Sequence, residues 1–411
     1  MKKEMKIVSI NSCNYGSTGN IMLSIANEAR MVGHTAYTVC PKGRSMRKNV
    51  SREHIFLSSI VEKNIHLILS KITGLNGFFS HFGTYFFLKW LNKKQPDIIH
   101  LHNLHNCYIN LPMFFKYIKK HNIRVIWTLH DCWSFTGQCP YFTMIKCDKW
   151  KTGCYNCPQY RQYPEAYVDR TKTMYKLKKK WFTGVQNLTI VTPSEWLAGL
   201  VKQSYLKDYP VKVINNGIDL KIFKPTDSKF REKYKIENKY ILLGVSFIWN
   251  ERKGLDVFIE LATRLNQIYQ IVLVGTNEEI DSKLPKNIIS IHRTQNQKEL
   301  AEIYSAADLF INPTREENFP TVNIEALACG TPVITFNTGG SPEIIDETCG
   351  AVVPCDDIDA LIKKINEVYL AKPFTKEACI NRAKKYDMKD KFMEYIKLYK
   401  GNNEKLNETL N

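Results

Sequence analysis

The feature that most constrains this chain is a repeated alternation of short apolar segments with helical patterns. In the first half, apolar segments lie at 6–11, 35–40, 98–101, 124–129, 188–192 and 211–214. In the second half they lie at 240–246, 271–275, 288–291, 309–312, 332–335 and 350–353. Helical patterns include 21–30, 254–266 and 297–307. Short apolar strands that alternate with helices predict parallel sheets with helices on both faces.

The two series of segments predict two doubly wound, Rossmann-like α/β domains. The chain has 411 residues, a length that suits two typical domains. We predict an N-terminal domain at 1–216 and a C-terminal domain at 217–384. A final helix and tail at 385–411 is expected to return to the N-terminal domain. Such sheets bind ligands at the carboxyl ends of their strands, so we expect the two domains to face a shared cleft.

The composition indicates an anionic partner. The formal net charge is +18, with 58 Lys and Arg residues against 40 Asp and Glu residues. A phosphorylated metabolite, an anionic membrane surface or a nucleic acid would complement this charge. The basic residues are spread along the chain, and neither zinc-finger nor RNA-recognition signatures occur. We therefore do not expect nucleic acid to be the partner.

Targeting signals are not evident in the sequence. The apolar run near the start, at 7–10, is too short for a secretory signal. No uninterrupted apolar run reaches the roughly 18 residues that a membrane-spanning helix needs. We therefore expect a cytoplasmic location. Thiols stay reduced there, so the 12 cysteines are not expected to form a disulfide framework.

The strongest local signal for a ligand site is the segment 317–325. Pro320 suits the first turn of a helix, and Gly330 suits a left-handed residue after its end, which predicts one helix at 321–329. The exposed amides at the start of that helix suit a phosphate group. Glu317 and Glu325 are acceptors for paired hydroxyls. The segment is therefore interpreted either as a nucleotide-sugar site or as a surface helix with solvated glutamates.

Other polar residues follow predicted strands, where such sheets place ligands. Lys253 could neutralise the charge of a leaving phosphate, or it could be a solvated lysine. Gly16 and Gly19 would let a ligand approach the backbone closely, although the third glycine of the Rossmann fingerprint is missing. His130 could hydrogen-bond a substrate. The three histidines at 100–105 are interpreted as hydrogen-bonded loop residues rather than as a metal site.

Four cysteines crowd into one polar segment at 138–159. They are Cys139, Cys147, Cys154 and Cys157, and only the last two form a Cys-x-x-Cys pair. Four thiolates could hold a structural zinc ion tetrahedrally. An iron–sulfur or redox role and incidental free thiols are the alternatives.

A segment near 60–90 is unusually rich in aromatic residues and is flanked by lysines. It is interpreted either as an amphipathic helix of the core or as a surface that contacts a membrane or a lipid acceptor. The tail at 401–411 is polar and is expected to fray.

Several of these stretches together resemble a known family. The resemblance to the retaining family-4 glycosyltransferases of the GT-B fold rests on Glu317 and Glu325, on the segment 326–333 and on Thr338-Gly-Gly340. Asn216-Gly-Ile-Asp219, with Phe223 and Pro225, is similar to that family's inter-domain linker. The N-terminal half is similar to bacterial exopolysaccharide enzymes of the colanic-acid type, in the stretches 97–105, 127–133, 135–139 and 154–158.

The resemblance implies a role for each matching residue. Glu317 would contact the transferring sugar, and Glu325 would bind the ribose hydroxyls. The distal phosphate would be held by the backbone of Phe319, Pro320, Thr321 and Val322. Lys253 would clamp the diphosphate, and Gly16 and Gly19 would let the opposite domain close over it. His130 would lie near the anomeric carbon, and Arg293 would line the base pocket. The family's Gly-Arg pair is missing at 244–249, so Arg252 is the candidate for the second phosphate cation.

The resemblance also implies the reaction. A sugar would move with retention from a UDP- or GDP-sugar to a glycan or polyprenyl-linked acceptor in bacterial surface polysaccharide synthesis. Catalysis would need no metal, and the enzyme could contact the inner face of the cytoplasmic membrane. A sugar-nucleotide epimerase of the same fold and a non-catalytic sugar-nucleotide-binding protein are the alternatives. The carboxylate pair together with His130 favours transfer over simple binding.

Overall fold

The structure, a computed structural model, describes residues 4–43 and 51–401 of the chain. These residues form two compact units. The first unit extends to Ile214 and resumes at Phe392, and the second unit is Asn215–Lys391. The boundaries predicted from the sequence, 216/217 and 384/385, lie close to these divisions.

The first unit is built on a sheet of seven parallel strands. The strands are β1 (Lys6–Ile10), β2 (Thr35–Cys40), β3 (His54–Phe56), β4 (Ile98–Leu101), β5 (Arg124–Thr128), β6 (Leu188–Thr192) and β7 (Val211–Val213). Their order across the sheet is β3-β2-β1-β4-β5-β6-β7. The helices are α1 (Gly16–Met31), α2 (Ile60–Thr73), α3 (His81–Lys94), α4 (Leu111–His121), α5 (Thr171–Phe182) and α6 (Glu195–Gln203). The strand β3 was not predicted, because it is a three-residue edge strand with no fully buried residue.

The second unit is built on a sheet of six parallel strands. The strands are β8 (Tyr240–Val245), β9 (Tyr269–Val274), β10 (Ile288–Ile291), β11 (Leu309–Asn312), β12 (Val333–Phe336) and β13 (Gly350–Val353). Their order is β10-β9-β8-β11-β12-β13. The helices that begin in this unit are α7 (Phe230–Tyr234), α8 (Leu255–Arg264), α9 (Glu278–Asp281), α10 (Gln297–Ala306), α11 (Thr321–Ala328), α12 (Ser341–Ile344), α13 (Ile358–Ala371), α14 (Lys376–Lys384) and α15 (Met388–Lys400). The predicted fold class of two doubly wound, Rossmann-like domains is confirmed.

Each sheet has one point where the strand order reverses. In the first sheet it lies between β1 and β4, and in the second between β8 and β11. The connections that leave such neighbouring strands run to opposite faces of the sheet, and this opens a crevice at their carboxyl ends. The loops after β1, β4, β8 and β11 are therefore the places where the fold positions a ligand.

The last described helix, α15, is bound to the first sheet by hydrogen bonds. The hydroxyl of Tyr399 lies 2.6 Å from Nδ1 of His100 on β4. The guanidinium of Arg124 on β5 donates to the carbonyls of Leu398 at 2.6 Å and Tyr399 at 2.5 Å. Tyr395 and Tyr399 are both buried. The C-terminal part of α15 is thus a component of the first unit.

Two local predictions differ from the structure, and a third is not covered by it. The segment 60–90 is not one core helix but the two helices α2 and α3, because Gly74 adopts a left-handed conformation that ends α2. The helix α1 begins at Gly16 rather than after Asn20, since the absence of a Cβ at Gly19 lets its first turn lie against the backbone of Asn14. The tail at 402–411 lies outside the described residues. Among the helices in the described ranges, none is long and apolar enough to cross a membrane.

The turn after β12 is fitted closely to the loop after β11. The hydroxyl of Thr338 donates to the carbonyl of Thr314 at 2.7 Å. Gly339 has a φ of +54°, and a Cβ there would lie 1.6 Å from the carbonyl oxygen of Glu317. A side chain at this position would therefore collide with backbone rather than with a movable side chain. This explains why the Thr-Gly-Gly motif needs its central glycine.

We expect Gly339→Ala to lower the midpoint of thermal unfolding of the second unit, because alanine adds both the collision and the left-handed backbone penalty of about 1 kcal/mol. The control is Gly33→Ala, measured on the unfolding of the first unit to which it belongs; φ there is +90° and a Cβ would meet no described atom within 4 Å. It carries the backbone penalty alone. Equal losses in the two variants, measured by calorimetry, would show that the collision relaxes at no cost.

Candidate functional site

The candidate site of the second unit lies where its strand order reverses. The loop after β8 ends in a short 3₁₀ turn, Glu251–Lys253, which the side chain of Asn250 caps through the amide of Lys253 at 3.1 Å. The next residue, Gly254, has a φ of +74°, and a Cβ there would lie 2.5 Å from the carbonyl oxygen of Pro313. The loops after β8 and β11 are therefore packed backbone against backbone.

This packing brings Lys253 and Glu317 together. The ammonium of Lys253 lies 2.5 Å from Oε2 of Glu317, and both side chains are largely buried. The other carboxylate oxygen of Glu317 accepts the amide N–H of Asn318 at 3.0 Å. Burial alone would raise the pKa of Glu317, but Lys253, Arg252 and this amide together lower it. The sequence assigned Lys253 and Glu317 to separate tasks, whereas the structure shows a direct ion pair.

Arg252 lies beside the same loop. Its guanidinium donates to the carbonyl of Glu316 at 3.1 Å, and its charge contributes to the lowered pKa of Glu317. Two cations therefore flank Glu317. The role of Arg252 as the second phosphate cation stays a prediction.

The helix that follows, α11, begins at Thr321. Pro320 precedes the helix as its cap, with φ −73° and ψ 109°, rather than lying in the first turn as predicted. Its extended ψ turns the chain into the helix, and its carbonyl accepts the N–H of Asn323 at 3.2 Å. Gly330 has the predicted left-handed conformation just after the end. The side chain of Asn323 accepts from Asn312 at 2.7 Å, and this bond ties α11 to β11.

Phe319 positions the start of this helix. The side chain is buried and meets the ring of Tyr386 edge-on at a centroid distance of 5.6 Å. Its carbonyl is 3.5 Å from the side-chain amide of Asn216, in the predicted linker motif. The backbone from Phe319 to Val322 is thus fixed from both sides.

Glu325 lies on the second turn of α11 and is partly buried. Its carboxylate accepts the hydroxyl of Tyr304 at 3.1 Å. Burial raises the pKa of Glu325 to about 7, although hydrogen bonds from Tyr304 and Thr321 oppose the shift. Both protonation states are therefore populated near neutral pH, a property that the sequence did not indicate.

Sequence reasoning missed Arg315, which braces the loop after β11. The guanidinium donates to Asp256 on α8 at 2.8 and 2.6 Å, and to Asp356 at 2.5 Å. It also donates to the carbonyl of Glu251. Its partners are distant in sequence, so no local pattern could have revealed this role.

Arg293, which is predicted to line the base pocket, lies away from the strand reversal. It is exposed and follows β10, and β9 separates β10 from β8 in the sheet. Its role stays a prediction.

In the first unit, the predicted glycines lie at the strand reversal. Gly16, with φ +67°, is the first residue of α1. A Cβ at Gly19 would lie 2.7 Å from the backbone of Asn14. The side chain of Asn11 accepts the N–H of Asn103 at 3.2 Å and joins the loops after β1 and β4. The backbone is open around Gly16, where a Cβ would meet no described atom within 4 Å.

His130 follows β5 and is paired with His102. Nδ1 of His102 lies 3.0 Å from Nε2 of His130, and the rings are stacked with an interplanar angle of 11°. Burial lowers the pKa of His130 to about 4, although Asp131 opposes the shift. The pKa of His102 is also lowered by burial. Both imidazoles are neutral at pH 7, so one of the two nitrogens donates and the other accepts.

The other histidines at 100–105 are hydrogen-bonded within the first unit. His100 contacts Tyr399 and also Thr128, at 2.8 Å. Nε2 of His105 lies 3.0 Å from Asp131, and its Nδ1 lies 2.8 Å from the hydroxyl of Tyr163. These bonds agree with the prediction that the histidines are hydrogen-bonded, although His100 lies on β4 and not in a loop.

The four clustered cysteines are all free thiols. Cys139 and Cys157 are hydrogen-bonded to each other, and this bond lowers the pKa of Cys157. Cys154 accepts the amide N–H of Gly137 at 3.0 Å. Within residues 4–43 and 51–401, no group of three or more His, Cys, Asp or Glu side chains is arranged to hold a metal ion. The predicted zinc ligands are therefore neighbours, but they do not form a coordination shell in this structure.

Two family models match the chain. Residues 18–222 match the model described as Glycosyltransferase Family 4. Residues 226–386 match the model described as Glycosyl transferases group 1. Among curated proteins, the chain is similar to the putative colanic acid biosynthesis glycosyl transferase WcaC of Escherichia coli strain K12. The identity is 24% over 281 residues, which cover 65% of this chain and 66% of that protein.

Solved structures share the fold. A sucrose-phosphate synthase from Thermosynechococcus elongatus has a TM-score of 0.71 at 18% identity and covers 97% of this chain and 98% of its own. Anabaena HepE, solved in complex with UDP-glucose, has a TM-score of 0.67 at 14% identity and covers 96% of this chain and 100% of its own. The predicted GT-B fold is thereby confirmed. The two family matches, which together span most of the chain, show that it belongs to the family-4 glycosyltransferases.

Proposed function

We propose that this glycosyltransferase moves a sugar, with retention of the anomeric configuration, from a UDP- or GDP-sugar to a glycan or polyprenyl-linked acceptor of a bacterial surface polysaccharide. The observation that carries the proposal is the Lys253–Glu317 ion pair at the strand reversal, beside the first turn of α11. The UDP-glucose complex of the Anabaena structure and the colanic-acid role in the name of the E. coli relative support it.

The diphosphate of the donor would exchange partners with this ion pair. A diphosphate carries more negative charge than a carboxylate, so it would compete with Glu317 for the ammonium of Lys253. Glu317 would then be released to accept hydroxyls of the sugar. Lys253, Arg252 and the backbone N–H groups of Phe319, Thr321 and Val322 would stabilise the charge that develops on the leaving nucleotide. No metal is needed for this stabilisation.

The ribose and the acceptor would be bound by other groups. Glu325, as a carboxylate, would accept the two ribose hydroxyls, and Arg293 would line the base pocket. His130 is neutral at pH 7 and would hydrogen-bond near the anomeric carbon. The acceptor hydroxyl would attack from the face that the nucleotide leaves. No protein carboxylate needs to act as the nucleophile, unlike in retaining glycoside hydrolases.

The place of action follows from the acceptor. A polyprenyl-linked acceptor remains in the bilayer, so the enzyme would work in the cytoplasm with peripheral contact to the inner face of the membrane. Gly16 and Gly19 would leave room for a phosphate group beside the first turn of α1.

The test is incubation of the full chain with a panel of UDP- and GDP-sugars, with and without bacterial membrane extract. We expect free nucleotide to appear only when extract is present, because transfer requires the acceptor. Interconversion of the donor sugar would point to an epimerase. Tight nucleotide binding without turnover would point to a binding protein.

A matched pair of lysine variants controls this assay. Lys253→Met is expected to reduce kcat/KM about 100-fold or more, the usual loss when one charge-stabilising group is removed. Lys283→Met removes a lysine that also forms an ion pair, 2.8 Å from Glu279, on the surface of the same unit. It is expected to keep full activity. Equal activities of the two variants would exclude Lys253 from the reaction.

The affinity for UDP is expected to rise with pH because of Glu325. Its pKa of about 7 means that the hydroxyl-accepting carboxylate forms as the pH rises through neutrality. Between about pH 6 and about pH 8 the ionised fraction grows nearly tenfold. In titration calorimetry, the Glu325→Gln variant shows how much of the pH dependence comes from UDP itself. Glu367→Gln, at an exposed position of α13, is the control. The same pH dependence in Glu325→Gln would contradict the assignment.

The structural zinc stays a prediction from the cysteine pattern. A four-thiolate site requires about one zinc ion per chain in protein purified without chelators. Elemental analysis together with thiol titration measures this. Substoichiometric metal and four freely titrating thiols at Cys139, Cys147, Cys154 and Cys157 would remove the zinc hypothesis.

A further inference from the structure

The helix α2 buries polar residues and exposes apolar ones. Its two buried residues are His66 and Ser70. Its apolar residues Val61, Ile65, Ile68 and Ile72 recur at helical spacing on one face, with 66%, 52%, 56% and 55% of each side chain exposed. A helix of a globular protein normally turns such a stripe toward the core. The apolar stripe of α2 instead points away from the first unit.

Polar bonds rather than apolar packing hold this helix in place. Nδ1 of His66 lies 2.7 Å from the hydroxyl of Ser80, and its Nε2 accepts the amides of Gly77 at 3.2 Å and Phe79 at 3.4 Å. The hydroxyl of Ser70 donates to the carbonyl of Leu75 at 3.1 Å. Because the buried side is satisfied by these bonds, the apolar stripe is not needed to hold α2 on the domain.

The helix α3 extends the same kind of surface. Phe82 lies one turn before Tyr85 and Phe86, and the three residues are 77%, 47% and 64% exposed, respectively. The amide of Gly83 donates to Glu62 at 2.9 Å, which joins the first turn of α3 to the first turn of α2. Together α2 and α3 comprise 28 of the described residues but carry nine of the 22 exposed large apolar side chains. So dense a patch indicates an interaction surface.

The charges on these helices are almost all positive. The lysines are Lys63, Lys71, Lys89, Lys93 and Lys94, and the only carboxylate on the two helices is Glu62. Lys71 is paired with Glu165 at 2.5 Å, whereas Lys89 and Lys93 are exposed. Glu62 is turned toward Gly83. The ammonium of Lys89 lies 4.7 Å from the ring of Tyr85. The surface therefore combines aliphatic residues with aromatic rings and lysines, the arrangement of a helix that lies in the interface of an anionic bilayer.

A second copy of the chain fits this surface poorly. A symmetric dimer would place each apolar patch against itself. Lysines of one copy, among them the exposed Lys89 and Lys93, would then face the same lysines of the other. The cores of protein–protein interfaces are depleted in lysine, whereas lysines near anionic lipids are favourable.

We infer that the exposed faces of α2 and α3 form a membrane-docking surface that binds anionic phospholipid bilayers. The aliphatic stripe of α2 and the aromatic residues of α3 enter the boundary between headgroups and acyl chains. The long lysine side chains reach the phosphates. This surface locates the peripheral membrane contact of the proposed function, on which the inference rests, but it uses none of the residues of the proposed donor site.

Co-sedimentation with vesicles tests the inference. The full chain is expected to bind vesicles of equal parts phosphatidylglycerol and phosphatidylcholine, and to bind pure phosphatidylcholine vesicles at least about tenfold more weakly, since the lysines act on anionic lipid. The vesicles contain neither nucleotide nor glycosyl acceptor, so the result is separate from the test of the transferase. Equal binding to both vesicle types, or binding to neither, would overturn the inference.

Paired variants locate the surface. Ile65→Asn with Ile68→Asn is expected to weaken binding to the anionic vesicles at least about tenfold, because apolar area no longer enters the bilayer. Met31→Asn with Leu370→Asn changes two side chains that are 75% and 78% exposed elsewhere, and should bind as the native chain does. Equal unfolding midpoints confirm that both variants fold. Unchanged binding in the first variant, or a dimer in sedimentation velocity that only this variant dissolves, would overturn the membrane assignment.

Discussion

Three close backbone contacts between loops at the carboxyl edge of the second sheet are the constraint on which the candidate site depends. Gly254 lies against Pro313, Gly339 against Glu317, and Gly275 against Ser246, where a Cβ would come within 1.7 Å of a carbonyl oxygen. All three glycines have positive φ values. Without these contacts, the loops after β8 and β11 would separate and the ammonium of Lys253 would not reach Glu317. The glycine positions thus let these loops come close enough for the ion pair to form.

The strands and the fold class could be predicted because they depend on local patterns. Buried parallel strands are short apolar runs, and the segments at 288–291, 309–312 and 350–353 coincide with β10, β11 and β13. Pairings between distant residues could not be predicted. The bridges from Arg315 to Asp256 and Asp356 join three separate segments, and the raised pKa of Glu325 depends on burial. The sequence suggested the residue types at the site, and the three-dimensional packing determined their partners and protonation.

The segment 60–90 shows that an apolar pattern at helical spacing can be assigned to the wrong face of a helix. An apolar stripe at helical spacing predicts a helix, but it does not say whether the stripe faces the core or the solvent. On α2 the inward face contains His66, whose ring nitrogens are hydrogen-bonded to two backbone amides and a hydroxyl in the interior. A buried histidine with three partners occupies the inward face, and the isoleucines are left on the outward one. The same polar bonds place Ser80 at the start of α3.

The attachment of α15 to the first sheet has a consequence for synthesis on the ribosome. His100 and Arg124 bind residues 398–399, which are translated only after the whole of the second unit. At ordinary elongation rates the delay is on the order of ten to a few tens of seconds. During that interval the nascent first unit lacks Tyr395 and Tyr399, and the surface beside β4 and β5 is uncovered. The first domain to emerge is therefore the last to be completed.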